Sequence, residues 1–60
     1  MFVIIFDLDE GGNGESEHVS HSAAWQAFAE IKARPDVRAA TLWQEGEDED
    51  WPLIEYARED

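Results

Sequence analysis

Cysteine is absent from this chain, which excludes disulfide staples, thiolate metal sites and a cysteine nucleophile. Positive charge is nearly as scarce: four Lys and Arg stand against fifteen Asp and Glu in 60 residues, a formal net charge of -11. So few cations leave no material for a basic nucleic-acid groove, and no direct nucleic-acid binding is expected. Long apolar runs are missing too. No segment approaches the roughly 18 apolar residues that a membrane-spanning helix needs. Met1-Phe2-Val3-Ile4-Ile5-Phe6 has no basic residue ahead of it and meets Asp7 at once, a poor match to a secretory signal peptide. The expectation is a cytoplasmic protein with no membrane partner.

What is present is enough to fold. Apolar residues make up 43 % of the chain, with three Trp, three Phe and one Tyr, too many for a disordered acidic tail. A domain of this length buries only about 60 % of its unfolded surface, so residues 1–60 are expected to form one small domain of marginal stability. The charge does not help it. Like charges repel and loosen a compact state, so the excess of carboxylates calls for an external cause: a basic partner, a bound cation or a high-salt cell.

Phe2 to Leu8 is rich in β-branched and aromatic residues and is closed by Asp9-Glu10-Gly11-Gly12-Asn13-Gly14, which predicts a strand and then a glycine-rich loop running through His18. A helix is predicted from about Ser20 to Arg34. Ala24, Phe28 and Ile31 fall at i, i+4 and i+7, Ser20 or Ser22 offers an N-cap, Lys32 and Arg34 suit the last turn, and Pro35 stops it. Val37 to Gln44 and Trp51 to Arg58 read as two further strands around the acidic turn Glu45-Gly46-Glu47-Asp48-Glu49-Asp50.

The fold class implied is α+β: a β-α-β-β chain forming a three-stranded antiparallel sheet in spatial order 1-3-2, with one helix packed on one face. A hairpin symmetric about the acidic turn pairs Trp43 with Trp51, Thr41 with Leu53 and Ala39 with Glu55. The opposite parity pairs Leu42 with Pro52, Ala40 with Ile54 and Arg38 with Tyr56, and this set lies under the helix with Phe2, Ile4, Phe6 and Leu8. Pro52 should stand near a strand end or a bulge. The uncovered face then shows Val3, Ile5, Asp7, Asp9, Thr41, Trp43, Trp51, Leu53 and Glu55. An apolar patch rimmed by carboxylates is the kind of surface that meets a partner or a second copy.

Motifs for chemistry are weak. Phe6-Asp7-Leu8-Asp9 resembles the first motif of the haloacid-dehalogenase phosphatases, in which two Asp on one strand act as nucleophile and acid/base. That family continues with Gly-Thr where this chain has Glu10-Gly11, and its remaining motifs need a far longer chain. The acidic, glycine-rich loop does not have EF-hand spacing. His18 and His21 lack two further ligands for zinc, and no oxyanion hole or nucleophile elbow accompanies Ser20 and His21. Gly11-Gly12-Asn13-Gly14 has no P-loop Lys. No enzyme activity, cofactor or metal is expected.

The carboxylates are spread over the first loop, the hairpin turn, the third predicted strand and the C-terminus. Carboxylates two apart on an extended strand are about 6–7 Å from each other, close to the step between phosphates along a nucleic-acid strand. Asp7 with Asp9, and Glu45, Glu47 and Glu49, offer such rows; Asp48, Asp50 and Glu55 add to them, and Trp43 and Trp51 supply apolar area beside them. A tiny, acidic, Cys-free chain of this layout resembles the small phage-borne anti-CRISPR proteins, in particular inhibitors of type I surveillance complexes, type I-C among them. The resemblance is in size, charge and layout across the whole chain, and no family motif carries site residues over. It implies stoichiometric inhibition by a DNA mimic inside the host cell. The partner would be a basic nucleic-acid-binding protein, such as a CRISPR effector subunit, and the inhibitor would be a monomer or a weak homodimer through the open sheet face. The turn, combined with the sheet edge, is the expected contact. Two other readings fit the same composition: an acidic interaction module of antitoxin-like or regulatory type, and a salt-adapted protein whose charge reports its medium.

Overall fold

The computed structural model describes residues 1–58. The elements are β1 (Phe2–Leu8), β2 (Asn13–His18), α1 (His21–Lys32), β3 (Val37–Glu45) and β4 (Asp50–Ala57). The strands form one sheet in the order β2-β1-β3-β4, with every neighbouring pair antiparallel. The α+β class, the antiparallel sheet and the single helix stand as expected. The strand number and the 1-3-2 order do not.

The fourth strand comes from the segment expected to be a loop. Leu8 N–H donates to the Gly12 carbonyl at 2.8 Å, and Gly11 N–H donates to the Leu8 carbonyl at 3.0 Å. Gly11 has φ 93°, a left-handed conformation that costs a glycine little. Asp9-Glu10-Gly11 is thus a three-residue hairpin loop, a tight turn completed by a left-handed residue. It returns the chain as β2, which pairs with β1 from Phe2 opposite His18 to Asp7 opposite Asn13. β2 is an edge strand. Its polar residues suit that position, where charge discourages further strand pairing.

The order follows from that hairpin. β2 and β3 both run antiparallel to β1, so they are parallel to each other, and α1 joins them by passing across β1. The anticipated helical crossover that skips one strand is present, but it starts from β2. The skipped strand is β1, and β3 rather than the last strand lies beside it.

The helix forms for the reasons its sequence offers. Ser20 has extended backbone angles, its hydroxyl oxygen accepts from Ala23 N–H at 3.2 Å, and its carbonyl accepts from Ala24 N–H at 3.0 Å. Ala24, Phe28 and Ile31 are the buried helical residues and meet Ile4, Val37, Ala40 and Leu42 of the sheet. Phe2, Phe6, Leu8, Ile54 and Tyr56 flank that core, as expected for one sheet face. An aromatic series runs from Phe2 through His21 and Trp25 to Phe28, with centroid separations of 5.7, 5.6 and 6.3 Å, edge-on in its first and last contacts and tilted between His21 and Trp25. Trp25 Nε1 donates to His21 Nε2, so both side chains are engaged in this packing.

Two bulges set which residues face the helix. Leu8 pairs with Val37 while Asp7 pairs with Ala39, so Arg38 stands unpaired against β1 and Val37 turns into the core. In the β3–β4 hairpin, Leu42 pairs with Ile54 but Trp43 pairs with Pro52, leaving Leu53 as the extra residue. Pro52 sits beside that bulge, as its missing N–H requires. The observed pairs Ala40–Tyr56 and Thr41–Glu55 are displaced by two residues from the expected register, so facing is kept in that half of the hairpin. Nearer the turn the displacement is one residue and facing reverses.

Gly46 closes the turn under severe crowding. Its N–H donates to the Glu49 carbonyl at 3.0 Å. A Cβ at Gly46 would lie 2.5 Å from that same oxygen and 2.5 Å from the Trp51 ring. Gly46→Ala is therefore expected to destabilise the domain by about 1–3 kcal/mol, the range for overpacked sites. Urea unfolding checks this, and an unchanged midpoint would mean that the turn re-forms freely around the methyl group.

Candidate interaction surface

Strand pairing places residues in rows across the face opposite the helix. One row is Glu17, Val3, Trp43 and Pro52; the next is Glu15, Ile5, Thr41 and Glu55; the third is Asn13, Asp7, Ala39 and Ala57. Glu45 lies two residues beyond Trp43 on β3 and pairs with Asp50 of β4. Val3, Ile5 and Trp43 form an apolar floor. Glu15 and Glu17 stand along one side of it, and Glu45 and Asp50 close the end nearest the β3–β4 turn. These seven residues line an open groove of about 370 Å³. No helix covers it, and Ile5 is 43 % exposed. With strands about 4.8 Å apart, β2 and β3 lie roughly 10 Å from each other across β1, and Glu45 and Asp50 are set further from Glu17 by their place beyond Trp43 and on β4.

The expected apolar patch rimmed by carboxylates is thus present, with changes in membership. Trp43 belongs to it. Trp51 does not: the bulge at Leu53 puts it opposite Gln44, in register with Phe2 on the helix side, where it covers Gly46 and remains 44 % exposed. Leu53 likewise packs against the core instead of joining the open face. Asp9 is also removed from the predicted row. β1 ends at Leu8, and the Asp9 carboxylate is gripped by Arg58 at 2.6 and 2.9 Å, while the same guanidinium donates to the Pro35 carbonyl at 2.9 Å. Asp7 and Glu55 stay on the open face. Glu47, Asp48 and Glu49 occupy the exposed β3–β4 turn, next to the groove end marked by Glu45 and Asp50. The acidic C-terminus, Glu59 and Asp60, lies outside the described residues.

Glu15 and Glu17 are not among the residues expected from the sequence, because β2 has no apolar side chains to mark it as a strand. The available signal was the tight-turn triplet Asp9-Glu10-Gly11 followed by strict alternation. Gly14, Ser16 and His18 are half-buried on the helix side, and Asn13, Glu15 and Glu17 are exposed on the other. Gly14 carries its own explanation, since the Phe6 ring lies over it and a Cβ there would approach that ring within 2.3 Å. The Arg34 guanidinium in turn sits 5.8 Å from the centre of the Phe6 ring.

Charge in the connections between the elements is handled differently from charge on the open face. Among the described residues the ion pairs are Arg34 with Asp36 at 2.8 Å and Arg58 with Asp9 at 2.6 Å. Hydrogen bonds from Arg58 hold the Asp9 carboxyl below its ordinary value of 3.8, and those from Arg34 do the same for Asp36. None of the carboxylates on the open face has such a partner among the described residues. The described residues also contain no group of three His, Asp or Glu side chains placed to hold a metal ion. No helix among them is long and apolar enough to cross a membrane.

The Asp9–Arg58 pair makes one pH prediction. A carboxyl held below its unfolded value stabilises the fold above that value and loses its contribution as pH falls through the lowered one. Asp9→Asn should therefore be less stable than the parent at pH 7, and the difference should begin to shrink below the ordinary value of 3.8 and vanish only once the pH has fallen below the lowered one. Both carboxylate and guanidinium are solvent-accessible, so the effect is small. Parallel thermal melts from about pH 2 to about pH 7 check it; a difference that persists at the acid end would assign the loss to packing.

Compared with protein-family models, with curated proteins and with solved structures, the chain has no significant match.

Proposed function

We propose that this protein is a non-enzymatic inhibitor that acts as an acidic nucleic-acid mimic. It occupies the basic, nucleic-acid-reading surface of a host defence protein, such as a CRISPR surveillance complex, in the cytoplasm of the cell. The observation that carries this reading is the set of carboxylates on one sheet face and its adjoining turn that have no ion-pair partner among the described residues, in a chain of net charge -11. Along β2, Glu15 and Glu17 repeat at about 6–7 Å, near the phosphate step that a Lys- and Arg-lined groove accepts. A sheet holds them in place, so binding does not have to order a flexible acidic peptide.

A second reading is favoured by the apolar floor of Val3, Ile5 and Trp43. An acidic interaction module of antitoxin-like or regulatory type would use that floor to bind a protein surface that reads no nucleic acid. Competition separates the two. With a purified type I surveillance complex and its double-stranded target, the mimic should displace DNA at stoichiometric ratio. Its affinity should fall by roughly tenfold or more from low to high salt as the charges are screened. A ternary complex containing both inhibitor and DNA would overturn the mimic reading for that partner.

A further inference from the structure

We propose that the groove on the open sheet face receives an arginine side chain of the partner, its guanidinium stacked on the Trp43 indole and its N–H groups turned to the rim carboxylates. The inference rests on the reading of this face as a ligand for a cationic surface, and it names the side chain recognised and the residue that recognises it.

The floor and the rim select the same group. Trp43 lies between Val3 and Pro52 in its row, with Glu17 at the far end of that row and Glu45 two residues along its own strand. An aliphatic or neutral aromatic partner would cover the floor but would also desolvate Glu17, Glu45 and Asp50 with nothing to pair them, which is costly. A second copy of this chain would bring the same carboxylates and another charge of -11 against them. A nucleic acid is excluded by the same sign. A cation is required, and it must also like an indole face. Guanidinium is planar, weakly hydrated and able to stack while its edge forks to carboxylates; ammonium is compact and strongly hydrated. The chain's own Arg34 and Arg58 are bound to Asp36 and Asp9, so neither fills the groove.

The test uses capped hexa-arginine and hexa-lysine peptides at equal ionic strength, with isothermal titration for affinity and amide and indole NMR shifts for location. Hexa-arginine should bind more tightly, and its shifts should centre on the Trp43 indole N–H and the Val3 and Ile5 amides. Trp43→Leu keeps an apolar floor and should weaken hexa-arginine by about tenfold, within the range of a partly desolvated cation–π contact, while hexa-lysine changes little. Glu17→Gln should weaken hexa-arginine several-fold, whereas Glu30→Gln on the exposed helix surface should not. Should Trp43→Leu fail to fold, the Glu17→Gln and Glu30→Gln comparison and the shift map decide the matter. Equal affinity for the two peptides, equal losses for both on Trp43→Leu, or shifts centred on Glu47 to Glu49 would each overturn the proposal. No nucleic-acid-binding protein enters this assay. A negative result here leaves the mimic reading standing, and failure to displace DNA from a surveillance complex leaves the groove assignment standing.

Discussion

Phe28→Ala should leave the domain unfolded at 25 °C. Phe28 is 2 % exposed, sits at the centre of the helix–sheet contact and packs edge-on against Trp25 at 6.3 Å. Removing a buried phenyl ring costs about 3–5 kcal/mol, from lost burial and from the cavity left behind. A core in a chain this short supplies no more than about the same total. No disulfide holds the chain together once the core is lost, because Cys is absent. Far-UV circular dichroism should lose its helical signal without denaturant. Ile31→Val provides the graded comparison, with an expected loss of about 1 kcal/mol and cooperative unfolding retained. A Phe28→Ala protein that unfolds cooperatively with a loss below about 1 kcal/mol would mean that α1 does not anchor the sheet.

The same core explains what could be read in advance. Ala24, Phe28 and Ile31 announce the helix because burial repeats every 3.6 residues, and Ser20 and Pro35 bound it by local chemistry. The facing of Ile4, Ala40, Leu42, Ile54 and Tyr56 was legible because alternation survives a register displacement of two residues. β2 was not legible from hydrophobicity. An edge strand with one face open to water and a glycine beneath Phe6 has no apolar alternation to display, so its evidence lay in the turn before it. The expected strand order differs as a consequence, since without β2 the crossover has only β1 to start from.

Bulges account for the errors in the candidate surface. One extra residue at Leu53 moves Trp51 off the face that Trp43 occupies, and no composition rule marks that position except Pro52 beside it. Asp9 was misplaced for a different reason. Its role depends on Arg58, 49 residues away, and pairs of that separation are invisible until the strands are in order. What the charge implied did not depend on register. Fifteen carboxylates against four Lys and Arg must be exposed somewhere, and the face without a helix receives many of them.

If the proposed function holds, reversing the carboxylates of the sheet face should sharply weaken binding to the partner, whereas reversing those of the turn should only slow association. Glu15, Glu17 and Glu45 border a groove that a partner would seal from water, while Glu47, Asp48 and Glu49 protrude from the β3–β4 turn. Charges at a rim or tip steer encounter, and their loss is read mainly in the association rate. Charges desolvated against a partner's cation act on dissociation, at roughly 2–5 kcal/mol for a pair cut on one side. The triple variant Glu15→Lys, Glu17→Lys and Glu45→Lys is thus expected to weaken binding to a surveillance complex by more than about a hundredfold, chiefly by faster dissociation. Glu47→Lys, Asp48→Lys and Glu49→Lys together should reduce the association rate by about tenfold and leave dissociation nearly unchanged. Surface plasmon resonance at two salt concentrations separates the rates. Adding salt should narrow the gap between parent and turn variant, since screening removes the steering that the turn provides. A face variant that keeps its affinity within threefold, with a turn variant that loses it, would relocate the contact to the hairpin tip. Both variants gain positive charge equally, so a loss that follows net charge alone would appear in the two to the same extent; unequal losses are what a groove-centred contact demands.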